Sequence, residues 1–152
     1  MTQVTIETGT PTAPDARALL QASHDLMGSL FPQEANHFLS VEALEAPHIK
    51  FFLAKDGNAS LGCAALANHT TFGEVKSMYV DATARNRGVA DRLMQQLVQE
   101  AKAQSLPCMK LETGTGLDAA HRLYERHGFS DCDAFGDYQA DAPYSRYMEL
   151  TL

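Results

Sequence analysis

The chain has 152 residues, of which 19 are Asp or Glu and 12 are Lys or Arg, so its formal net charge is −7. This length is typical of one globular domain, and 45% hydrophobic with 20% charged residues excludes an intrinsically disordered chain. The acidic balance excludes a general nucleic-acid binder, which needs a basic face to neutralise phosphates. A local basic patch for a small anionic ligand remains compatible with this acidic net charge.

The cysteines and the N-terminal residues limit the cellular context. Cys63, Cys108 and Cys132 are widely spaced and form no CxxC pair, so neither a disulfide framework nor a metal site is expected. The first residues lack the basic and apolar regions of a signal peptide, and no apolar run approaches the roughly 20 residues of a membrane span. These features predict a cytoplasmic protein without a membrane or metal partner.

The first third of the chain predicts one strand and two helices. Val4 and Ile6 alternate with polar residues, which indicates a short strand. The apolar spacing over residues 16–27 predicts a helix, followed by a loop and then a short second helix over residues 37–44.

The middle of the chain is rich in strand signals. Residues 48–54 and 60–67 are strand candidates on either side of the turn Lys55-Asp56-Gly57-Asn58, so they predict a hairpin. Another strand is expected over residues 74–80. The apolar period then changes to that of an amphipathic helix over residues 89–101.

The last third alternates strands and helices. Residues 107–113 predict a strand, and Thr115 opens a possible capping box for a helix that ends at Gly128. Residues 129–132 and 144–150 are the last strand candidates. The order βααβββαβαββ predicts an α/β fold, in which a mixed sheet carries helices on its faces.

The turn between the strand at 74–80 and the following helix is the most informative segment. A helix N-terminus has unpaired N–H groups and a partial positive charge, and Arg85 and Arg87 add charge there. Gly88 allows a ligand to approach the backbone, and Ala90 leaves the first helical turn open. The pattern predicts a phosphate site, although a solvated helix start is the alternative. Neither of the common nucleotide motifs with Gly-rich loops fits.

Two motifs resemble those of the GNAT N-acetyltransferases. Arg85-x-x-Gly88-x-Ala90 is similar to the acyl-CoA-binding signature of this family, and the run from Ala120 to Phe129 is similar to its second signature, A-x-x-L-Y-x-x-x-G-F. Leu111 to Gly114 and the C-terminal segment resemble one subgroup of small bacterial members. The resemblance implies one acetyltransferase domain over residues 1–152, with a mostly antiparallel central sheet splayed at two parallel strands.

The resemblance also implies where acetyl-CoA binds. It would lie between the strands at 74–80 and 108–113, with its pyrophosphate on the amides of residues 87–90 and a backbone N–H near Tyr79 polarising the thioester carbonyl. No metal is implied. The residues that would contact the cofactor are Met78, Tyr79, Val80, Arg85, Asn86, Arg87, Gly88, Val89, Ala90 and Tyr124.

The second motif implies a general acid. Tyr124 matches the tyrosine that protonates the leaving thiolate in this family, although its place in the apolar stripe also fits a packing role. In many relatives an Asn that contacts coenzyme A lies seven residues earlier, whereas this chain has Leu117 there. That contact is therefore in doubt.

The acceptor side is less well determined. An attacking amine must be neutral, so Glu74 or a water molecule is the candidate base, and a solvated carboxylate is the alternative for Glu74. His37, Glu112 and Tyr138 are candidate substrate contacts, although structural roles fit His37 and Tyr138 as well. Residues 1–49 carry six acidic residues and one Arg, a net charge of −5, and residues 131–141 carry four Asp. Such a field would attract a cationic amine.

Three functions remain compatible with these patterns. The first is an N-acetyltransferase that moves the acetyl group to a primary amine by direct attack in a ternary complex. The second is an acyl-CoA-binding regulatory module with little catalysis, and the third is an interaction domain without a coenzyme A site. The acceptor, a small-molecule or protein amine, is open, and a homodimer is compatible with the resemblance.

Overall fold

The computed structural model describes residues 3–152 and contains one seven-stranded sheet in the order β1-β2-β3-β4-β5-β7-β6. Met1 and Thr2, on which part of the signal-peptide prediction rests, lie outside the described residues. The strands are β1 Thr5–Thr8, β2 Ile49–Asp56, β3 Ala59–Asn68, β4 Gly73–Val80, β5 Cys108–Gly114, β6 Ser130–Asp131 and β7 Ser145–Thr151. The helices are α1 Pro14–Leu30, α2 Val89–Ala103 and α3 Asp118–Arg126.

Most of the predicted elements are confirmed, but the predicted helix over residues 37–44 is wrong. Residues 37–40 form no regular secondary structure, and a short 3-10 turn follows at Ala43–Glu45. The Ser40 hydroxyl oxygen accepts the N–H of Ala43, as a helix N-cap does, so helical turns begin only after Ser40. An eight-residue helix is also marginal without a continuous apolar face to pack.

The predicted start of α3 is also wrong, while its end is confirmed. The helix begins at Asp118 after Leu117, and no side chain caps its first turn, so Thr115 forms no capping box. Gly128 follows the helix with φ at +95°, a left-handed conformation that glycine adopts without strain.

The sheet is antiparallel except at its centre. β4 and β5 run parallel and pair only at Gly73 with Met109 and at Glu74 with Lys110, after which they diverge. Beyond that point β5 pairs with β7 and β4 pairs with β3. The predicted splay between two parallel strands is therefore confirmed.

Helices cover both faces of the sheet, as predicted. On one face, α2 and α3 bury a core with β3, β5 and β7 that includes Leu66, Leu93, Leu97, Met109 and Met148. On the other face, α1 packs Leu19 and Leu20 onto Phe51, Leu53 and Cys63. Each fully buried large apolar side chain contributes roughly 1.5–3 kcal/mol, so the two cores hold the sheet rigidly around the splay. No helix within residues 3–152 is long and apolar enough to cross a membrane.

A close contact between β3 and β4 generates a stability prediction. A Cβ at Gly62 would lie 2.7 Å from the Tyr79 carbonyl oxygen and 3.3 Å from Val89 Cγ1, so Gly62→Ala must push β4 outward. We expect the free energy of unfolding to fall by roughly 1–3 kcal/mol. Gly28→Ala is the matched control, because a Cβ there meets nothing within 4 Å.

The control variant should change the free energy of unfolding in the opposite direction. Gly28 lies in α1 on an exposed position, where alanine should raise the free energy of unfolding by about 0.5–1 kcal/mol. Urea denaturation of both variants measures the two changes. A Gly62→Ala variant as stable as the parent chain would show that β4 does not depend on this close approach.

Candidate active site

A cavity of about 780 Å³ lies where β4 and β5 diverge. Its walls come from both strands, the end of α1, the segment that follows it, the turn after β4, the first turn of α2, and α3. This volume lies within the range of small-molecule sites, roughly 300–1,000 Å³. Because the facing edges of β4 and β5 share no ladder beyond Glu74 and Lys110, their backbone groups can pair with an extended ligand.

β4 carries a bulge inside this cavity. The register with β3 shifts between Cys63 and Ala65, and Ser77 adopts φ of +55°, which is unusual for a residue other than glycine. The Ser77 carbonyl accepts the Cys63 thiol at 3.3 Å, while the Ser77 hydroxyl is buried with no hydrogen-bond partner among residues 3–152. The bulge therefore leaves a polar atom without a partner at the cavity wall, and the regular alternation over residues 74–80 did not predict it.

The turn after β4 contains two left-handed residues next to the start of a helix. Asn86 and Gly88 have φ values of +65° and +74°, and α2 begins at Val89. Left-handed residues in a turn can direct successive backbone N–H groups toward one point, and the N-terminus of α2 adds its own, so the chemistry of this turn suits an anion. Arg85, Asn86, Gly88, Val89 and Ala90 line the cavity.

The two arginines of this turn have different environments. Arg85 is exposed and lines the cavity. Arg87 instead makes an ion pair with Asp56 at 2.8 Å, at the end of β2, and its side chain is outside the lining. The predicted charge contribution of Arg87 is thus already balanced, and its side chain fixes the turn to the β2–β3 hairpin.

Tyr124 reaches the cavity from α3. It is 7% exposed, and its ring packs edge-on against Phe129 with the centroids 6.0 Å apart. Burial, helped by the negative charge of Glu112, raises the pKa of Tyr124 to about 12. The phenol therefore stays protonated at neutral pH and is a hydrogen-bond donor at the cavity wall.

Glu112 lies on β5 and also lines the cavity. One carboxylate oxygen accepts the Ser145 hydroxyl at 2.8 Å. Burial raises the pKa of Glu112, against the Ser145 hydrogen bond and the positive charges of His37 and Lys76. A carboxylate with a raised pKa holds a proton more tightly than an exposed one, which suits a group that must accept a proton near neutral pH.

Glu74 lies behind this wall rather than in it. It is 6% exposed, and one carboxylate oxygen accepts the Tyr138 hydroxyl at 2.6 Å and makes an ion pair with Lys76 Nζ at 3.2 Å, while the other oxygen is 3.0 Å from His69 Nε2. Lys76 Nζ also donates to the Tyr138 hydroxyl at 2.8 Å and to the His37 carbonyl at 3.2 Å. Glu74 thus meets the cavity through Tyr138, which does line it.

Aromatic side chains close one part of the cavity, which we call the aromatic end: Phe31, His37, Phe38, Tyr138 and Tyr144. The Phe31 ring lies against Gly114 of β5 so closely that a Cβ there would be 2.3 Å from Cζ. Tyr144 packs edge-on against Phe31 at 6.1 Å, and His37 packs edge-on against Tyr138 at 5.4 Å.

Sequence reasoning found His37 and Tyr138 but missed Phe31, Phe38, Tyr144, Lys76 and Ser77. Phe31 lies in a predicted loop, Phe38 in the wrongly predicted helix and Tyr144 at the start of a predicted strand, so no apolar period marked them as site residues. Aromatic residues concentrated in polar loops are the one signal that could have found them, since loops seldom bury such side chains without a partner.

Comparison with known proteins shows the family of the chain. Residues 16–129 match the model of the Acetyltransferase (GNAT) family. The chain is 36% identical over 154 residues to a protein of Azospirillum brasilense named IAA acetyltransferase, with all of both chains covered. It is 38% identical over 151 residues to the uncharacterized N-acetyltransferase YedL of Escherichia coli (strain K12), covering 97% of this chain and 94% of the relative.

A solved structure from Klebsiella pneumoniae, provisionally named acyl-CoA N-acyltransferase, superposes with a TM-score of 0.82 at 28% identity, covering 99% of this chain and 98% of that one. An N-acetyltransferase of Thermoplasma acidophilum solved with coenzyme A shares the fold, with a TM-score of 0.73 at 13% identity, covering 99% of each chain. The chain belongs to the GNAT acetyltransferase family. It is an acetyl-CoA-dependent N-acetyltransferase, as the two motifs predicted.

Proposed function

We propose that this enzyme transfers the acetyl group of acetyl-CoA directly to a primary amine while both substrates occupy the cavity between β4 and β5. The observation that carries the proposal is that one cavity joins the basic turn and Tyr124 to Glu112 and the aromatic end. No cysteine of the described chain lines it, which supports direct attack rather than transfer through an enzyme thiol.

The residues present fit acetyl-CoA, which supplies an acetyl group activated as a thioester. We propose that the amides of residues 87–90, with Arg85 and Asn86, hold the pyrophosphate, because two left-handed residues next to the start of α2 suit an anion. The exposed backbone edge at Met78 and Val80 would pair with the pantetheine arm. An amide beside the bulge, near Tyr79, would donate to the thioester oxygen.

Tyr124 is the proposed donor to the leaving sulfur. A phenol whose pKa is raised to about 12 is a weaker acid than the sulfur it faces, since thiol pKa values lie near 8.5. Complete proton transfer would therefore be uphill, and a hydrogen bond to the developing thiolate is the contribution that this tyrosine can make. The buried setting strengthens that bond.

Removal of the Tyr124 hydroxyl tests this role. Tyr124→Phe should lower kcat by about 100-fold, the size of effect typical of a positioned proton donor, with little change in acetyl-CoA affinity because the ring still packs on Phe129. Tyr147→Phe is the control, since Tyr147 is another buried tyrosine whose hydroxyl donates to the Gln139 carbonyl outside the cavity. Steady-state kinetics and calorimetric titration separate the two quantities, and an unchanged kcat would remove the assignment.

We propose Glu112 as the group that takes the proton of the attacking amine, because it lines the cavity with one oxygen bonded only to Ser145. Glu74, the candidate base from the sequence, could act on the cavity only through the Tyr138 hydroxyl. In this arrangement the amine proton passes to Glu112, while Glu74 and Lys76 hold Tyr138 in the wall.

The pH profile distinguishes the two carboxylates. A base must be unprotonated, so kcat/KM should fall as pH drops through the raised pKa of Glu112, above the range of an ordinary glutamate. Glu112→Gln keeps the acceptor for Ser145 and removes only the charge, so it should abolish that acidic limb. Glu74→Gln should retain the limb. Loss of the limb in Glu74→Gln alone would instead assign the base to Glu74 acting through Tyr138.

The two arginines of the basic turn provide a third test. Arg85→Ala should raise KM for acetyl-CoA by about 10-fold at low salt, with a smaller effect at high salt, because an exposed charge is screened. Arg87→Ala should raise it less, since that side chain is paired with Asp56. Arg17→Ala, which removes an exposed arginine of α1 paired with Glu42, controls for net charge. Equal KM values for Arg85→Ala and Arg17→Ala would contradict the assignment.

We further propose that residues 1–152 act as one catalytic domain in the cytoplasm. The support for the location is that Cys63, Cys108 and Cys132 are all unpaired, which is typical of a reducing compartment. The compatibility with a homodimer stays a prediction.

A further inference from the structure

The exposed hydrophobic surface of the described chain gathers at one place. Three large hydrophobic side chains within residues 3–152 are exposed: Leu30 at 51%, Phe38 at 44% and Tyr144 at 42%. Phe38 and Tyr144 line the cavity, and Leu30 immediately precedes Phe31, which lines it as well. Apolar groups that cluster at the mouth of a cavity mark a binding surface rather than scattered surface residues.

These side chains are held in position before any ligand arrives. Phe38 stacks on His24 with the ring centroids 4.0 Å apart and the planes 12° from parallel. Phe31 rests on Gly114 and meets the edge of Tyr144. A preformed apolar frame binds an apolar group without the entropy cost of ordering its own side chains.

The charged side chains beside the aromatic end determine which ligand charge is favoured. Lys76 pairs with Glu74 at 3.2 Å and donates to the Tyr138 hydroxyl and the His37 carbonyl, so its charge is already balanced and two of its three N–H donors are already used. Glu112 makes no ion pair within residues 3–152, because its one hydrogen-bond partner is the neutral Ser145 hydroxyl. A cation therefore finds a carboxylate without an ion-pair partner within residues 3–152, whereas a ligand carboxylate would meet Lys76, which is already paired with Glu74.

We infer that the acceptor is a primary amine that carries an uncharged apolar group, preferably an aromatic ring, and no carboxylate. Its ammonium group lies at Glu112, and its apolar group lies among Phe31, Phe38 and Tyr144. This inference rests on the proposed amine acetylation, and it adds the chemical class of the acceptor.

Three amines matched in their two-carbon core test the class: 2-phenylethylamine, ethanolamine and phenylalanine. Thiol release from acetyl-CoA and mass spectrometry of the product give kcat/KM for each with the full-length protein. We expect 2-phenylethylamine to exceed ethanolamine by about 10-fold or more, the size of effect typical of an apolar pocket. Phenylalanine, which adds a carboxylate, should fall below 2-phenylethylamine by a similar factor.

The outcomes separate this inference from the proposed function. Equal or better turnover of ethanolamine or phenylalanine would overturn the inference and leave amine acetylation intact, as would turnover of spermidine or a lysine peptide alone. Absence of thiol release with every amine, in a protein whose melting temperature still rises with acetyl-CoA, would overturn both.

Substitutions at Phe38 test the location, because this side chain is 44% exposed and belongs to neither of the two apolar cores. Phe38→Ser should raise KM for 2-phenylethylamine by about 10-fold and leave KM for ethanolamine and acetyl-CoA unchanged. Phe38→Leu, the matched control, keeps an apolar surface and should retain most of the affinity. A parallel loss with both amines would show a structural effect and overturn the placement, as would a Phe38→Ser change confined to dissociation of a dimer.

Discussion

The divergence of β4 and β5 after only two paired positions is the constraint on which the rest of this molecule depends. Backbone groups that leave a ladder must find other partners, and here they border a cavity instead of solvent. The bulge at Ser77 is part of the same arrangement, because it re-aims β4 against β3 just where its other edge becomes free. Two apolar cores on opposite faces keep the strands apart without collapse of the gap.

The gap between β4 and β5 lets groups from the two opposite faces of the sheet line the same cavity. Tyr124 comes from α3 on one face, and the loops that carry His37 and Tyr138 cover the other, where α1 packs. Burial raises the pKa of both Tyr124 and Glu112, but the consequences differ. The phenol stays protonated and remains a hydrogen-bond donor, whereas the carboxylate becomes a better proton acceptor. In a continuous sheet, the strands themselves would lie between Tyr124 and Glu112.

The sequence predicted what is local and missed what is assembled from distant segments. The basic turn, α2 and the Gly128 stop follow from spacing and glycine chemistry over a few residues, and the structure confirms α2 and the stop. The contact of Phe31 with Gly114 joins residues 83 positions apart in the chain, and the bond of Tyr138 to Glu74 joins residues 64 apart, so no window of sequence contains them. The failed helix at 37–44 shows the same limit, since tertiary anchoring of Val41 and Leu44 overrides a weak local period.

The net charge of −7 suggested an acidic field on the acceptor side, but in the structure one carboxylate of the cavity, Glu112, is the better candidate for attracting a cation. On the flanks, Glu42 and Asp131 are exposed and paired with Arg17 and Arg146, and the half-buried Asp15 is paired with Lys55. Exposed pairs of this kind contribute little and are screened by salt. Glu112 differs because it is half-buried on β5 and makes no ion pair within residues 3–152, so under the proposed mechanism a ligand ammonium would supply the opposite charge where water weakens the attraction less. We therefore attribute the proposed selectivity for a cationic amine to the least compensated acid of the cavity and not to the number of acids around it.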